Sequence, residues 1–273
     1  MRGLRFILLV IMILLYGNLF VSQEKKRLER QVDLQTAMPV SFYKIAAGYL
    51  EQLAAEILFI RTSVFLGGVA SETPATSYAD RLGNNFDVMT RLYPRFLDPY
   101  YFCQGFLANV SYEAAVKANT IFETGIAAYP DDLILRFFYG TNFFLSLNEP
   151  LKGARVFEEA ARLPGAPPMF GHLAALLSAK GGDVAAGLVL LKAMLAVEKN
   201  DIVRARYEEE IIIFEQAMIV QKAITSYTQT YGTAPRSLGQ LVPEFIPLIP
   251  VIKDSFRLVY VPPFLHLQRP EKK

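Results

Sequence analysis

A helix-pair pattern recurs about three times between Pro99 and Lys199, and it constrains the fold more than any other feature of the sequence. Small residues let two antiparallel helices approach closely, while large apolar residues fill the seam between them. The middle copy has Gly140, Phe143, Gly153, Phe157, Ala160 and Pro164, the next has Ala174, Leu177, Ala186, Leu190 and Ala193, and the first has Gly105, Ala118, Phe122, Gly125 and Pro130. The pattern predicts three consecutive helical hairpins.

This spacing resembles the tetratricopeptide repeat, a helical hairpin with a period of about 34 residues. The resemblance covers roughly residues 76 to 200. One such hairpin cannot bury its apolar face alone, so consecutive hairpins stack into a solenoid with a concave binding surface. The resemblance therefore implies an all-α solenoid that holds proteins together and seldom performs chemistry. An irregular all-helical bundle with chance spacing of its small residues is the alternative, and it belongs to the same fold class.

An uncharged apolar run extends from Phe6 to Gln23, with arginines before it and charged residues after it. This length just spans a hydrocarbon core as a helix, and it also fits a long secretory signal peptide. The best cleavage site follows Ser22, but Phe20 stands there at a position that requires a small residue. The sequence therefore favours an uncleaved transmembrane anchor over residues 1–23.

The orientation of this anchor is less clearly encoded than its insertion. Basic residues lie on both sides of it, so the positive-inside rule does not decide. The basic segment before the apolar run is very short, which is typical of bacterial signal anchors that keep the amino terminus in the cytoplasm. We therefore expect a single-pass protein of the bacterial inner membrane whose soluble part lies in the periplasm.

The rest of the chain divides by composition into a charged linker, a repeat solenoid, a capping helix and a small C-terminal module. Their predicted ranges are 24–40, 41–200, 201–232 and 233–273. The solenoid begins with a helix from about Ser41 to Leu66, whose apolar stripe we expect in the core: Phe42, Ile45, Ala46, Tyr49, Leu50, Leu53, Ile57, Ile60 and Val64. Charged residues interrupt this stripe at short intervals, which argues against a second membrane span.

After the repeats, the stretch from Asp201 to Tyr231 is predicted to form one helix that covers the last apolar face of the solenoid. Its inward positions are predicted to be Ile211, Ile212, Phe214, Met218, Ile219 and Ala223. Ser237 then caps a short helix, prolines prevent further helix, and alternation predicts a strand from Phe256 to Val261. This tail resembles the ends of pseudopilin-like periplasmic proteins, but their aspartate-proline element is absent here.

Residues that carry chemistry are sparse. The two histidines, His172 and His266, fall in different modules without companion cysteines or spaced carboxylates, so a metal site has little support. Cys103 stands among apolar helix positions and is predicted to be a packed thiol. The net charge of +2 is small and argues against nucleic acid as a partner. We therefore expect no enzyme activity and no cofactor.

The family resemblance also predicts where a partner would bind, because the first helix of each tetratricopeptide hairpin lines the concave face. Applied to this chain, it gives Phe106, Asn109, Phe137, Thr141, Phe144, Ala175 and Ser178. The set lacks the lysines and arginines that a clamp for acidic peptide tails requires. The expected ligand is therefore an apolar helix or extended segment of a protein. Alternatively, Phe137 and Phe144 belong to the interhelical core.

These features favour a membrane-anchored repeat scaffold that positions a protein partner at the bacterial cytoplasmic membrane, in envelope assembly, pilus or secretion machinery. The alternative is a structural subunit that self-associates through its anchor and its long C-terminal helix, without a separate client. An enzyme is a third and weaker hypothesis, since we find none of the common catalytic motifs.

Overall fold

A computed structural model describes Met12, Leu15–Gly17, residues 34–252 and residues 255–270. These residues form helices and one small antiparallel sheet, which confirms the all-α class. The chain divides into two compact units, one that ends at Leu92 and one that begins at Tyr93. Within the described ranges, we find no helix that is long and apolar enough to cross a membrane. The predicted anchor at residues 1–23 lies almost entirely outside those ranges.

From residue 34 onwards, the described part of the first unit contains the helices α1 (Val40–Ala47), α2 (Glu51–Gly68) and α3 (Ala79–Leu92). The predicted single helix from Ser41 to Leu66 is interrupted at Gly48, whose φ of 52° suits glycine but few other residues. A 3₁₀ turn over Gly48–Leu50 joins α1 to α2. The helix α2 then ends at the glycine pair 67–68.

An extended segment precedes α1 and lies along α3, where two asparagines hold it. The Oδ1 of Asn85 accepts from the backbone N–H of Ala37 at 2.7 Å, and its Nδ2 donates to the carbonyl of Gln35 at 3.0 Å. The Nδ2 of Asn84 donates to the carbonyl of Ala37 at 3.1 Å. Since Asn85 is itself buried, these bonds fix the entry of the chain into the unit.

The apolar stripe predicted to lie in the core of this unit is largely on its surface, which corrects the sequence interpretation. The helix α2 packs on α3 through its opposite side, which is formed by Ala55, Leu58, Thr62 and Phe65. The stripe residues Phe42, Ile45, Tyr49, Leu50, Leu53, Ile57, Ile60 and Val64 are all exposed. Apolar residues follow helical spacing on both sides of α2, so periodicity could not show which side α3 would cover.

The second unit begins with three helical hairpins. Their helices are α4 (Asp98–Phe106) with α5 (Tyr112–Ala128), α6 (Leu133–Leu145) with α7 (Pro150–Ala161), and α8 (Met169–Lys180) with α9 (Val184–Val197). Side-chain caps fix where several of these helices start: Ser111 caps α5, Asp132 caps α6 and Asp183 caps α9 by accepting backbone N–H bonds. The helical hairpins are therefore observed where the spacing placed them.

The middle hairpin closes on the predicted small residues. A Cβ on Gly153 would lie 2.9 Å from the carbonyl oxygen of Gly140, so the backbones of α6 and α7 meet there. The ring of Phe157 packs on Gly140, and Ala160 is fully buried. The seam of this copy follows the predicted register.

Each of the other two copies departs from the prediction in one of its two helices. In the third copy the buried positions of α9 are Val184, Gly187 and Leu191, whereas Ala186 and Leu190 are half-buried and Ala193 is exposed. A Cβ on Gly187 would lie 2.6 Å from the carbonyl oxygen of Ala175, so the true seam lies one residue later. In the first copy Ala118, Phe122 and Gly125 are buried as predicted, and Tyr100 packs on Gly125, but Gly105 is exposed.

The capping helix is α10 (Asp201–Tyr231), which matches the predicted range. Asn200 caps its start, and Gly232 ends it in the left-handed conformation. Ile211, Phe214 and Ala223 are buried as predicted, but Ile212 and Ile219 are exposed. The helix packs against α9 and belongs to the same compact unit as the hairpins.

The C-terminal segment adds a 3₁₀ turn over Leu238–Leu241 and a hairpin of β1 (Arg257–Val261) and β2 (Phe264–Gln268). The first strand was predicted and the second was missed. Leu265 and Leu267 alternate on the buried side of β2, and this alternation was the signal in the sequence for the second strand.

Candidate partner-binding surface

We call the surface formed by α4, α6 and α8 the first-helix face, because these are the first helices of the three hairpins. The predicted binding residue Phe137 does not lie open on this face. Its ring centroid is 6.1 Å from that of Phe157 and 6.4 Å from that of Phe170. It therefore packs among α6, α7 and α8, as the interhelical-core alternative proposed.

Phe144 and its neighbours are partly withdrawn from solvent as well. Phe144 packs against the cluster between α7 and α8, and the Nζ of Lys180 lies 4.5 Å from its ring centroid. This cation–π contact covers the ring with a charged side chain. Thr141 is half-buried, and Ser178 is buried with its carbonyl accepting from the N–H of Asp183 at 2.8 Å.

Phe106 and Asn109 are exposed; Phe106 is the last residue of α4, and Asn109 lies in the loop between α4 and α5. The Oγ of Ser146 donates to the Oδ1 of Asn109 at 3.0 Å, which ties the α4–α5 loop to the end of α6. Leu145, next to this bond, is 64% exposed. The structure thus brings Phe106, Asn109 and Leu145 to one end of α4 and α6.

A second contact joins the same two helices. Tyr101 on α4 meets Phe138 on α6 edge to face, with ring centroids 5.5 Å apart. We call Tyr101, Phe106, Asn109, Phe138 and Leu145 the α4–α6 patch. Sequence reasoning missed Tyr101, Phe138 and Leu145. The tetratricopeptide register selects other positions on the first helices, and in this chain some of those positions contact the following hairpin instead of facing solvent.

The charges beside this patch are negative. Burial raises the pKa of Tyr101, and the charges of Asp132 and Asp98 raise it further. The phenol therefore keeps its proton at neutral pH and remains a hydrogen-bond donor. An apolar surface with two carboxylates beside it suits an apolar segment that carries a basic residue.

The third copy of the first-helix face is covered by the chain itself. Strand β2 packs on α8, and the Nδ1 of His266 lies 2.8 Å from the carbonyl oxygen of Lys180. Leu267 joins the buried cluster that contains Ala175 and Ala179. Ala175, which the repeat register placed in the groove, is therefore fully buried.

A buried carboxylate holds this hairpin in place. Glu210 on α10 accepts from the Nε2 of His172 at 2.7 Å and from the Nη2 of Arg269 at 2.6 Å. Its side chain is 5% exposed, and burial alone would raise its pKa. The hydrogen bond from His172 and the charges of His172, Arg269 and Arg206 outweigh that effect and lower the pKa of Glu210. The pair of bonds links α8, α10 and the end of the hairpin.

In the described part of the chain, we find no group of three His, Cys, Asp or Glu side chains that could hold a metal ion. The thiol of Cys103 is fully buried, which raises its pKa. This burial confirms the predicted packed thiol.

Neither a protein-family model nor a curated protein sequence matches this chain.

Proposed function

We propose that this chain is a membrane-anchored helical-repeat scaffold that binds a protein partner at the bacterial cytoplasmic membrane. The consecutive helical hairpins and the close glycine contacts within them support the proposed repeat architecture, because a helical solenoid is built from stacked helix pairs. The apolar run from Phe6 to Gln23 supports the anchor. Envelope assembly, a pilus or a secretion system is the proposed setting.

The observation that carries this proposal is the α4–α6 patch. Tyr101, Phe106 and Leu145 expose large apolar side chains on helices that are fixed to each other by two contacts. Rigid aromatic side chains on an ordered surface are frequent energetic anchors of protein interfaces. The proposed partner is an apolar helix or extended segment, with a basic residue placed towards Asp98 and Asp132.

The test is capture of partners from native membranes by the full-length protein in detergent. The variant F106A/L145A removes the two exposed anchors, and we expect it to lose at least about tenfold in partner recovery. Its melting temperature should stay close to that of the wild type, because both side chains are exposed. The matched control is I212A, which truncates an exposed side chain on α10. Equal recovery by all three proteins would contradict the proposed surface.

The same experiment separates the scaffold from a self-associating subunit without a client. A scaffold should retain foreign chains at a constant ratio, and the F106A/L145A variant should release them. A subunit that binds only itself should yield a single polypeptide in every preparation. That outcome would reject the scaffold and favour the structural alternative.

A further inference from the structure

The outer side of α2 carries an uncovered heptad stripe. Leu53, Ile57, Ile60 and Val64 lie on α2, and Leu50 lies in the 3₁₀ turn before it; they follow one another at spacings of three and four and are all between 44% and 63% exposed. This is the spacing of the a and d positions of a coiled coil, with β-branched Ile57 and Val64 at a. Phe42, Ile45 and Tyr49 are exposed as well, but the break at Gly48 separates them from this stripe.

This stripe is a second apolar side of a helix that already has a packed one. The packed side, formed by Ala55, Leu58, Thr62 and Phe65, contacts α3. Scattered exposed apolar residues are ordinary, but a contiguous row of them over four helical turns marks an interaction surface. Since α3 covers the packed side of α2, the exposed stripe is the apolar side that another partner could cover.

Two charged residues flank the stripe, and their positions favour one kind of partner. With Leu50, Ile57 and Val64 at a, Glu56 takes position g and Arg61 takes position e, and both are exposed. In a parallel pair of helices, a residue at g meets the residue at e five positions later in the other chain. Glu56 of each copy would therefore meet Arg61 of the other, giving two opposite-charge pairs. An antiparallel pair would bring g to g and e to e, so like charges would meet.

We propose that the α2 stripe is a homodimer interface in which two copies of the chain pack parallel and in register. The charge pattern is complementary to itself, which a surface for an unrelated protein does not require. The parallel orientation places both amino termini at the same end, as two chains anchored in one membrane would require. The stripe belongs to the first compact unit, whereas the α4–α6 patch belongs to the second.

A lipid surface fits this side of the helix less well. Helices that lie in a membrane interface carry mostly lysine and arginine on their polar face. Here α1 and α2 carry Lys44 and Arg61 against Glu51 and Glu56. Both acidic residues would be repelled by anionic lipids, whereas Glu56 pairs with Arg61 in the parallel dimer.

Position-specific crosslinking tests the register. The variant I60C places a thiol at a d position, where it would meet its own counterpart only in a parallel, in-register pair. Mild oxidation of the purified full-length protein in detergent should give most of this variant as a disulfide-linked dimer. Q52C lies on the same helix but off the stripe, so it should remain monomeric on a non-reducing gel. Native Cys103 is fully buried and should not contribute. Equal crosslinking of I60C and Q52C, or none in I60C, would overturn the proposal.

Charge reversal tests the pairing independently of the fold. E56R and R61E should each lower the dimer fraction of I60C, and the double variant E56R/R61E should restore it. A role in folding would not predict this recovery. Loss in all three variants, or no change in any, would overturn the parallel pairing. Flotation with anionic vesicles covers the lipid alternative: binding that R61E weakens, without crosslinking of I60C, would assign the stripe to the membrane instead.

Discussion

A Cβ on Gly140 would lie 2.7 Å from the Cε1 atom of Phe157, so the hairpin of α6 and α7 closes only because position 140 has no side chain. Replacing Gly140 by Ala should force the ring or the helix to move, at a cost of about 1 to 3 kcal/mol in the free energy of unfolding. Thermal or denaturant unfolding measures this cost. The control is G105A, where the added Cβ meets open space and should stabilise the helix by about 0.5 to 1 kcal/mol. Similar losses in both variants would mean that the glycine seam is unimportant.

The register of the third hairpin gives a second prediction. G187A should be destabilising, because its Cβ would lie 2.6 Å from the carbonyl oxygen of Ala175, a backbone atom that cannot rotate away. A186L should be milder, since Ala186 is half-buried and lies one position round the helix. Melting temperatures of the two variants decide between the structural register and the register read from the sequence. A larger loss in A186L would support the latter.

The pH dependence of stability should report the carboxylate that holds the hairpin. The folded-state pKa of Glu210 lies below its ordinary value of 4.5. Its ionised form therefore stabilises the folded protein above about pH 4.5, and this contribution is lost as the pH falls through the folded pKa. E210Q should melt lower than the wild type at pH 7, and the difference should shrink towards pH 3. The exposed Glu208 provides the control, and E208Q should show no comparable trend. A constant difference across this range would contradict the linkage.

Phe137 should behave as a core residue. Its ring packs against those of Phe157 and Phe170, so F137A should leave a cavity and cost about 3 kcal/mol in the free energy of unfolding. Partner recovery by the fraction that remains folded should be unchanged. A variant that melts like the wild type but loses its partner would return Phe137 to the binding surface.

The amino terminus of the mature protein decides whether the anchor is retained. Intact-mass measurement of the protein from native membranes should show residues 1–23 still attached, because the site after Ser22 has Phe20 where a signal peptidase requires a small residue. A mature chain that begins near Gln23 would contradict the anchor and leave the soluble part free of the membrane.

Local signals predicted the helices well, because each depends on a few neighbouring residues. The range of α10 follows from the cap at Asn200 and the left-handed Gly232, both visible in the sequence. The choice of buried side was less predictable. In α2 both sides are apolar, and only the side chains of α3 decide which one is covered. The same ambiguity applies to Ile212 and Ile219 on α10, which match the helical period but face solvent.

The exposure of the predicted binding residues followed from the sequence only in part. Phe106 and Asn109 are on the surface, but the docking of β2 on α8 depends on contacts between residues far apart in the chain, such as Glu210 with Arg269. No spacing rule within a repeat contains that information. The shift from Ala186 to Gly187 has a simpler origin, since both are small and only the approach of Ala175 distinguishes them.

The hairpin fastened to α8 also limits how such a chain could evolve. In a repeat protein each unit contacts only its neighbours, so the array can in principle gain a unit wherever those contacts are preserved. Here a unit added between α9 and α10 would separate Glu210 from His172 while leaving it joined to Arg269. Adding a unit at this end would therefore break the bond between Glu210 and His172. The number of repeats should be easier to change upstream of the third copy than after it.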